Sequence, residues 1–229
     1  MPSIVVIGPG RHGTAIAALF ASHGVDVTLH HHNPAKARAA AEIVRAVAAA
    51  GTTVTVEPDL VSSVAHGQVV ALTTLWDRPQ REVIGNLGAA LQGKVLLDVS
   101  NPLDVTPHGI VPRRPSEGSA GQFVATLLPS GTGHAKAFSN LATAFVNEGA
   151  DQDPPAVLPF LADSETTAEV VRPLLAQTGW LPWLVGDISR SRDLEIGGRF
   201  NDVHGRYGRS RLDADEFRAL AGDEPVFAL

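Results

Sequence analysis

Three glycines near the start of the chain have the spacing of a phosphate-binding loop. They lie in the segment G-P-G-R-H-G, residues 8–13. In such a loop the first glycine allows a tight turn, the second lets a pyrophosphate approach the backbone, and the third lets the following helix pack closely on the strand. We therefore expect a dinucleotide here, with a glycine turn that binds nothing as the alternative. The residues predicted to hold the pyrophosphate are Gly8, Pro9, Gly10, Arg11, His12 and Gly13.

A second polar group stands at the predicted end of the second strand. A site specific for NAD needs an Asp or Glu there, to bond the ribose 2′-hydroxyl. The sequence instead has His31, His32 and Asn33, with Lys36 one turn further on. Imidazoles donate hydrogen bonds to a 2′-phosphate that a carboxylate would repel, so the pattern predicts NADP(H). Chance histidines at an exposed strand end are one alternative. A metal site is another, disfavoured because successive strand residues point to opposite faces.

The elements that position these residues form a strand–helix–strand–helix–strand unit. Apolar, β-branched runs predict strands at 3–7, 25–30 and 52–56, and alanine-rich segments predict helices over 14–22 and 34–50. Asparagine followed by proline starts the second helix, and a glycine ends each helix. This alternation is the mononucleotide-binding half of a doubly wound sheet.

The alternation continues along the chain. Further strands are predicted at 69–75, 95–99, 134–138, 157–161 and 181–185, with helices near 60–66, 79–91, 119–128 and 164–179. Three prolines and two glycines predict that residues 104–118 form a loop over the sheet edge. The fold class is thus α/β, a Rossmann-type doubly wound, mostly parallel sheet with a small C-terminal extension. We expect a dinucleotide-binding domain over 1–146 and a smaller acceptor or dimerisation region over 147–229.

The residues that follow the later strands should surround the nicotinamide, because ligands of a doubly wound sheet bind beyond the carboxyl ends of its strands. Few of these residues titrate, so the site should work by positioning rather than by acid–base catalysis. An ordinary core position is the alternative for the tryptophan. The residues are Thr74, Leu75 and Trp76, then Ser100, Asn101 and Pro102, and then Phe138, Ser139 and Asn140.

Composition argues against several other functions. The chain has no cysteine, which excludes disulfides, thiolate catalysis and cysteine-ligated metals. A net charge of -6 argues against general nucleic-acid binding. No segment has the run of about 20 apolar residues that a membrane span needs, and the start does not read as a secretory leader. We therefore expect a cytoplasmic protein with a small-molecule partner, no nucleic-acid or membrane partner, and no metal.

Several motifs together resemble the F420-dependent NADP oxidoreductase family over most of residues 3–187. G-P-G-R-H-G is similar to the family's loop, and H-H-H-N-P-A-K is similar to its 2′-phosphate segment, where Ser, Arg and Lys are usual. Leu75 departs from the family, which usually has proline there, and so does the tail after Asp187. The motifs that resemble the family's later strand ends are T-T-L-W at 73–76, D-V-S-N-P-L at 98–103 and H-A-K-A-F-S-N-L at 134–141.

The resemblance implies hydride transfer between NADPH and the deazaflavin coenzyme F420. A deazaflavin needs no strong general acid, so the lack of a catalytic triad is no objection. His134 and Lys136 alternate on a predicted strand and are either catalytic residues or a structural pair. His204 and Tyr207 are proton-donor candidates if the substrate is a small imine or ketone. A reductase of such substrates and a non-catalytic NADPH-sensing protein are the alternative functions.

Seven arginines interleaved with acidic residues mark the tail. They predict either a surface held by salt bridges, at a solvent face or a dimer interface, or an anion site for an acidic acceptor. The irregular tail leaves the last layer of the sheet under-covered, so we expect a homodimer. The arginines are Arg190, Arg192, Arg199, Arg206, Arg209, Arg211 and Arg218.

Overall fold

The computed structural model describes residues 2–203, 205 and 211–221, in which short strands alternate with helices. In chain order the strands are β1 (Ser3–Ile7), β2 (Asp26–His30), β3 (Val54–Val56), β4 (Val69–Leu72), β5 (Val95–Asp98), β6 (Leu103–Thr106), β7 (Gly109–Pro112), β8 (Gly133–Lys136), β9 (Val157–Ala162) and β10 (Leu181–Leu184). The α-helices are α1 (Arg11–Ser22), α2 (Pro34–Val47), α3 (Leu60–Ser63), α4 (Arg78–Leu87), α5 (Ala120–Ala125), α6 (Phe145–Glu148), α7 (Glu165–Ala176), α8 (Ser191–Leu194) and α9 (Ala214–Ala221).

Eight of these strands form one sheet, in the order β10-β9-β8-β5-β4-β1-β2-β3. Neighbouring strands are parallel except for β8 and β9, which pair antiparallel. The predicted Rossmann-type, mostly parallel sheet is therefore confirmed. Strands β2 and β3 follow one another on one side of β1, and β4 then pairs with β1 on its other side. This reversal makes a crevice at the carboxyl ends of β1 and β4, where doubly wound sheets bind ligands.

The core has two layers because helices cover both faces of the sheet. Ile4 and Val6 of β1 pack in one apolar cluster with Ile16 and Phe20 of α1. The alternate residues Val5 and Ile7 belong to a second cluster, on the face that α4 and α5 cover. Burial on both faces explains why the strands read as continuous apolar runs rather than as alternating ones.

A hairpin replaces the loop that the sequence predicts over 104–118. Strands β6 and β7 pair antiparallel, with Val105 opposite Ile110 and Leu103 opposite Pro112. The expectation of a loop was wrong because two of the prolines occupy positions that a short hairpin tolerates, one in the turn between the strands and one at a strand end. Val105 and Ile110 are both more than 60% exposed, so the hairpin stands away from the core.

Strands β9 and β10 continue the main sheet beyond residue 146, where the sequence places a domain boundary. The boundary itself stays a prediction. After β10 the chain forms a short 3-10 turn over Ile188–Arg190 and then α8. Farther on, Phe217 of α9 packs against Trp183 and Phe200, which ties the end of the described chain to the β9–β10 edge.

Candidate functional site

The glycine loop turns directly from β1 into α1. Gly8 has a φ of 77°, and its N–H donates to the carbonyl of His30 at the end of β2 at 2.9 Å. Helix α1 begins at Arg11, three residues earlier than predicted, and its N-cap, Gly10, offers no side-chain hydrogen bond. The N–H groups of the first turn therefore point out of the helix without a side-chain partner. Such a helix start binds anions through its N–H groups and its dipole.

The three glycines of this loop are not equivalent. A Cβ at Gly8 would lie 2.5 Å from Thr74 Cγ2, and one at Gly13 would lie 2.2 Å from Thr73 Oγ1. Both glycines are therefore needed for the loop and helix to pack against the end of β4. At Gly10 the nearest such atom is the Gly8 carbonyl oxygen, 4.0 Å away. Protein packing does not require a glycine at position 10, which leaves room for a ligand as the reason for it.

A cleft of about 650 Å³ opens in front of this loop. Its volume lies within the range of small-molecule sites. One wall is the glycine loop, another is the end of β2, and a third is the loop after β4 together with a face of α4. The residues that line it include Gly8, Gly10, Arg11, His12, His30, His31, His32, Lys36, Leu60, Thr73, Thr74, Leu75, Pro79, Glu82, Val83, Asn86 and Thr143.

The end of β2 carries an imidazole pair. The strand ends at His30, so His31 and His32 do not point to opposite faces as the sequence suggests. Their rings lie side by side instead, with centroids 4.4 Å apart. Asn33 is the N-cap of α2, and its side chain accepts from the N–H groups of Ala35 and Lys36. Asn33 therefore orients the helix start, while the imidazoles and the Lys36 ammonium group line the cleft.

His12 connects the glycine loop to the segment that follows β8. Its Nε2 lies 3.2 Å from the Phe138 carbonyl oxygen, and its Nδ1 lies 3.2 Å from Thr143 Oγ1. A carbonyl can only accept, so Nε2 carries the hydrogen and Nδ1 accepts from the hydroxyl. Burial lowers the pKa of His12, and the neighbouring Arg11 lowers it further against the effect of the Phe138 bond. Phe138 itself has a φ of 61°, a strained value for a residue with a side chain that is common near ligand sites.

The three predicted residues of the loop after β4 differ in where their side chains lie. Thr74 lines the cleft, and in the described part of the chain its buried hydroxyl has no partner. Leu75 is 55% exposed at the mouth of the cleft. Trp76 instead packs edge-on against Phe123 of α5, with ring centroids 5.7 Å apart. The structure therefore places Trp76 in the apolar layer beneath the loop.

The residues after β5 and β8 are buried, except for Asn101, which is half-buried. Asn101 bonds both sides of this edge, because its Nδ2 donates to the Ser139 carbonyl at 2.7 Å and its Oδ1 accepts from the N–H of Ile196 at 2.6 Å. Within the described ranges the hydroxyls of Ser100 and Ser139 and the Oδ1 of Asn140 have no hydrogen-bond partner. Buried polar groups without partners are rare in folded proteins, and each needs an explanation.

The backbone over 195–203 covers these strand ends. Besides the bond from Ile196, the N–H of Asp202 donates to the Asn140 carbonyl at 2.7 Å. Pro102 is buried beside the same edge. The residues predicted to surround the nicotinamide therefore lie in two different places. The loop after β4 faces the cleft, whereas the residues after β5 and β8 lie beneath this tail segment.

A buried ionic cluster holds the covered edge together. The Lys136 ammonium nitrogen lies 2.8 Å from Asp98 Oδ2, 2.7 Å from the Ser100 carbonyl oxygen and 3.4 Å from Glu195 Oε1. Glu195 in turn accepts from the N–H groups of Ala120 and Gly121, at the start of α5. Lys136 therefore joins β5, β8 and the tail through two hydrogen bonds and one ion pair.

The charges in this cluster are set by burial and by one another. Burial works to raise the pKa of Asp98, but Lys136, His134 and hydrogen bonds hold it below its ordinary value. Burial raises the pKa of Glu195, against the opposing effect of Lys136. His134 lies in the same layer, and burial lowers its pKa to about 4, so it is neutral near pH 7. Neither His134 nor Lys136 lines the cleft.

Two other predicted residues, His204 and Tyr207, lie outside the described residues. Among the tail arginines that the structure covers, Arg190 pairs with Asp193, Arg211 with Glu148 and Arg218 with Asp215. Across residues 2–203, 205 and 211–221, no three His, Asp or Glu side chains gather as a metal site would require. In the same residues, no helix combines the length and the apolar character of a membrane span.

Sequence reasoning missed two participants. Glu195 lies in the tail, where weak periodicity gave no reason to connect it with Lys136, 59 positions earlier. Thr143 follows β8 in a segment without a motif, yet it bonds His12 and lines the cleft. Asp98 begins the motif D-V-S-N-P-L at 98–103. An acidic residue at the end of a buried strand indicates that a positively charged partner is buried beside it.

Residues 3–102 match the sequence profile of the family described as NADP oxidoreductase, coenzyme F420-dependent. The matched segment, just under half of the chain, runs from β1 to the loop after β5 and includes most of the cleft lining. Among curated proteins, no sequence matches this chain.

Two solved structures share most of the fold. A hypothetical protein from Sinorhizobium meliloti superposes with a TM-score of 0.74 at 20% identity, covering 94% of this chain and 97% of that one. A candidate F420-dependent NADP-reductase from Arthrobacter sp. gives a TM-score of 0.63 at 22% identity, over 82% of this chain and 86% of that one. At these identities the likeness establishes the shared fold.

The chain is also similar to part of a reductive aminase from Aspergillus terreus. That enzyme was solved in complex with NADPH and ethyl levulinate. Its TM-score is 0.59 at 18% identity, and the match covers 82% of this chain but 56% of the aminase. The chain thus spans little more than half of that enzyme. The profile match, in contrast, confirms the resemblance over residues 3–102, which carry the sequence pattern of the F420-dependent NADP oxidoreductases, a family of NAD(P)-dependent enzymes.

Proposed function

We propose that this protein is an NADP(H)-dependent oxidoreductase that transfers a hydride between NADPH and a deazaflavin of the coenzyme F420 type. The observation that carries the proposal is the space at Gly10. A Cβ there would touch nothing closer than 4.0 Å, although the loop lies against a helix start and opens into a large cleft. A glycine that the protein's own packing does not need is best explained by a pyrophosphate close to its backbone.

The residues present fit the parts of NADP(H). The N–H groups at the start of α1 and the side chain of Arg11 would hold the pyrophosphate. His31, His32 and Lys36 would hold the 2′-phosphate, since they supply hydrogen-bond donors and positive charge where an NAD site has a carboxylate. The apolar side of α4 offers a surface for the adenine.

The nicotinamide end is supported by the unpartnered polar groups. Thr74 faces the cleft, and Ser100 and Ser139 lie beyond the ends of β5 and β8, each with a hydroxyl that has no partner in the part of the chain described. A carboxamide both donates and accepts, so it would satisfy hydroxyls of this kind. We propose that these side chains orient the nicotinamide ring.

The reduced nicotinamide supplies the hydride, and the deazaflavin takes up this hydride together with one proton from water. The chain's own contribution is to bind and orient the two rings and to keep water from them. The neutral His12 fixes the wall between the glycine loop and the segment after β8. Lys136 and His134 hold the covered strand ends and are engaged or neutral, so we assign neither of them the transfer of a proton.

The region over 147–229 would provide the acceptor side of the site. Its tail segment over 195–203 lies across the ends of β5 and β8, next to the proposed nicotinamide position. A homodimer remains our expectation for the assembly, and light scattering at micromolar concentration would measure it. A monomer mass would remove that expectation and would leave the proposed chemistry intact.

Steady-state oxidation of NADPH with and without oxidised F420 tests the proposal. We expect NADPH to be consumed only when F420 is present, with NADH a poorer donor and Gly10→Val inactive. Oxidation of NADPH with small cyclic imines or ketones, but not with F420, would instead establish the reductase alternative. Tight binding of NADPH without turnover of any of these acceptors would indicate a sensor and overturn the enzymatic proposal.

A further inference from the structure

His12 lies in the first turn of α1, and its backbone and its side chain face different parts of the site. The first backbone bond of the helix runs from the N–H of Thr14 to the Gly10 carbonyl at 2.8 Å. The N–H groups of Arg11 and His12 therefore have no acceptor within the helix, and they belong to the donors that we propose for the pyrophosphate. The imidazole of His12 instead reaches the segment that follows β8.

The segment that the imidazole reaches is a tight turn over 138–141. The Phe138 carbonyl accepts from the N–H of Leu141 at 3.1 Å and from His12 Nε2 at 3.2 Å. The Phe138 ring is fully buried and lies edge-on to Phe20 of α1, with ring centroids 6.1 Å apart. A φ of 61° is unfavourable for a residue with a side chain, so the surrounding contacts must hold it. His12 supplies the contact at the carbonyl.

This turn presents polar groups next to the proposed nicotinamide position. Within the described ranges, the buried Ser139 hydroxyl and Asn140 Oδ1 have no hydrogen-bond partner. Both residues follow Phe138 directly, so the backbone conformation of Phe138 sets the directions in which their side chains leave the chain. A misplacement of about 1 Å can lower the rate of a reaction by about 100-fold. Hydride transfer should therefore depend on the geometry of this turn.

The His12 ring has one arrangement that satisfies both of its nitrogens. The Thr143 hydroxyl donates to Nδ1 at 3.2 Å, which keeps the hydrogen on Nε2, opposite the Phe138 carbonyl. Burial lowers the pKa of His12, so the ring is neutral near pH 7. Glutamine can place an amide N–H where Nε2 lies, whereas asparagine is one carbon shorter and leucine has no donor. Substitution by these three residues therefore separates the role of the donor from that of the ring's bulk.

We infer that His12 couples the two ends of the dinucleotide: its backbone N–H binds the pyrophosphate, while its Nε2–H fixes the turn over 138–141 that orients the nicotinamide. His12 is then a positioning residue, because its ring acts through the turn and not on the reacting atoms. This coupling rests on the proposed function, since it requires NADP(H) in the cleft. Loss of the imidazole should leave the phosphates bound and free only the nicotinamide.

Two ligands with the same phosphates test this coupling. The fragment 2′-phospho-ADP-ribose has the pyrophosphate and the 2′-phosphate of NADPH but lacks the nicotinamide. In calorimetry at pH 7, we expect the native protein to bind NADPH about tenfold more tightly than this fragment. The ratio should fall to about one to two in His12→Leu and His12→Asn, with nearly native affinity for the fragment. In His12→Gln it should stay above about fivefold.

His23→Leu is the matched control, because His23 lies at the other end of α1 and bonds the Leu19 carbonyl at 2.8 Å and Asp151 at 3.0 Å. Its loss should lower thermal stability and leave the ratio native. Turnover gives a second readout. In His12→Leu, kcat with F420 should fall by about 10- to 100-fold, more than KM for NADPH rises, with a larger isotope effect from NADPH deuterated at the transferred position. Should His12→Leu not fold, His12→Asn against His12→Gln keeps the comparison.

The possible outcomes separate the coupling from the proposed function. A native ratio near one, a native ratio retained in His12→Leu, or an equal loss in His12→Gln and His12→Leu would overturn the coupling and leave NADP(H) as the cofactor. Equal losses of affinity for NADPH and the fragment would assign His12 a general structural role and would overturn it as well. Failure of the native protein to bind NADPH would contradict the proposed function itself.

Discussion

One edge of the sheet has two very different halves. The carboxyl ends of β1, β2 and β4 open into the cleft, which cationic and imidazole side chains line. The carboxyl ends of β5 and β8 lie under the tail segment over 195–203, where Lys136 is fully buried and bonded to Asp98, Ser100 and Glu195. Both halves carry charge: in the covered half Lys136 pairs with Asp98 and Glu195, whereas among the described residues Arg11 and Lys36 of the open half form no ion pair.

The difference separates binding from positioning. Charges that face a cleft are available to a ligand with phosphate groups. Charges that are buried and paired contribute to the arrangement of the backbone, and breaking such a pair is costly. We therefore assign recognition of the cofactor's phosphates to the open half, and orientation of the nicotinamide and rigidity of the reaction site to the covered half.

Lys136→Met should destabilise the protein strongly without weakening cofactor binding in proportion. Removing the ammonium leaves Asp98 as an uncompensated buried charge, which costs about 3–5 kcal/mol of unfolding free energy. Lys94→Met is the matched control, because Lys94 makes a single bond, to the Gly67 carbonyl at 2.8 Å. That change should cost about 1 kcal/mol. Urea unfolding measures both variants, and equal losses would refute the special role of the buried cluster.

Acid should destabilise the covered half through His134. Because the pKa of His134 is lowered to about 4 in the folded protein, the unfolded chain binds its proton more readily. The stability that the neutral ring contributes is complete above pH 6.5 and is lost as the pH falls toward 4. Between pH 7 and 4 this loss amounts to about 3 kcal/mol. His134→Leu should lack this pH-dependent loss. The difference in unfolding free energy between the native protein and the variant should therefore change as the pH falls from 7 to 4. A constant difference would contradict the role assigned to His134.

Gly10→Val should abolish binding in the open half while the fold persists. The branched side chain would occupy the space that we propose for the pyrophosphate, and we expect NADPH affinity to fall at least ~100-fold, equivalent to about 2.7 kcal/mol. Gly13→Val is the opposite case, since its side chain would collide with Thr73 and should destabilise the protein. Calorimetry and thermal unfolding distinguish the two variants. Native NADPH affinity in folded Gly10→Val would show that the loop does not cradle a phosphate.

Ser139→Ala should produce the smallest effect, and it should appear in function rather than in stability. The Ser139 hydroxyl has no partner among the described residues, so its removal should leave the unfolding free energy almost unchanged. A lost bond to the nicotinamide would lower NADPH affinity or turnover by about 2- to 10-fold. Ser191→Ala is the control, because the Ser191 hydroxyl bonds the Ile188 carbonyl at 2.7 Å. That variant should lose about 1 kcal/mol of stability and bind NADPH normally.

Local sequence predicted several features of the open half. The turn at Gly8 and the cap at Asn33 each depend on residues close in the chain, whereas α1 begins at Arg11, three residues earlier than predicted. The side-by-side placement of His31 and His32 was missed, because it depends on where β2 ends. Strand ends are the least predictable feature of a sequence pattern.

Contacts between distant segments determine the covered half, and the sequence carried little information about it. The bonds from Ile196 to Asn101 and from Asp202 to Asn140 each join residues more than 60 positions apart. No periodic pattern marks the segment over 195–203, so nothing indicated that it would cover the strand ends. The β6–β7 hairpin was missed for a different reason, since proline content outweighed a short alternation of apolar residues.

The central claim is that the open half of the sheet edge binds NADP(H). The affinities of NADPH and NADH at pH 7 test it most directly, because the proposed hydride transfer depends on this cofactor. The account predicts that NADPH binds at least ~10-fold more tightly, since one charge-assisted bond to a phosphate contributes about 1.5–3 kcal/mol. Replacing both His32 and Lys36 with Ala should remove most of that difference and leave NADH binding unchanged. Equal affinities for the two cofactors in the native protein, measured by calorimetry, would contradict the account.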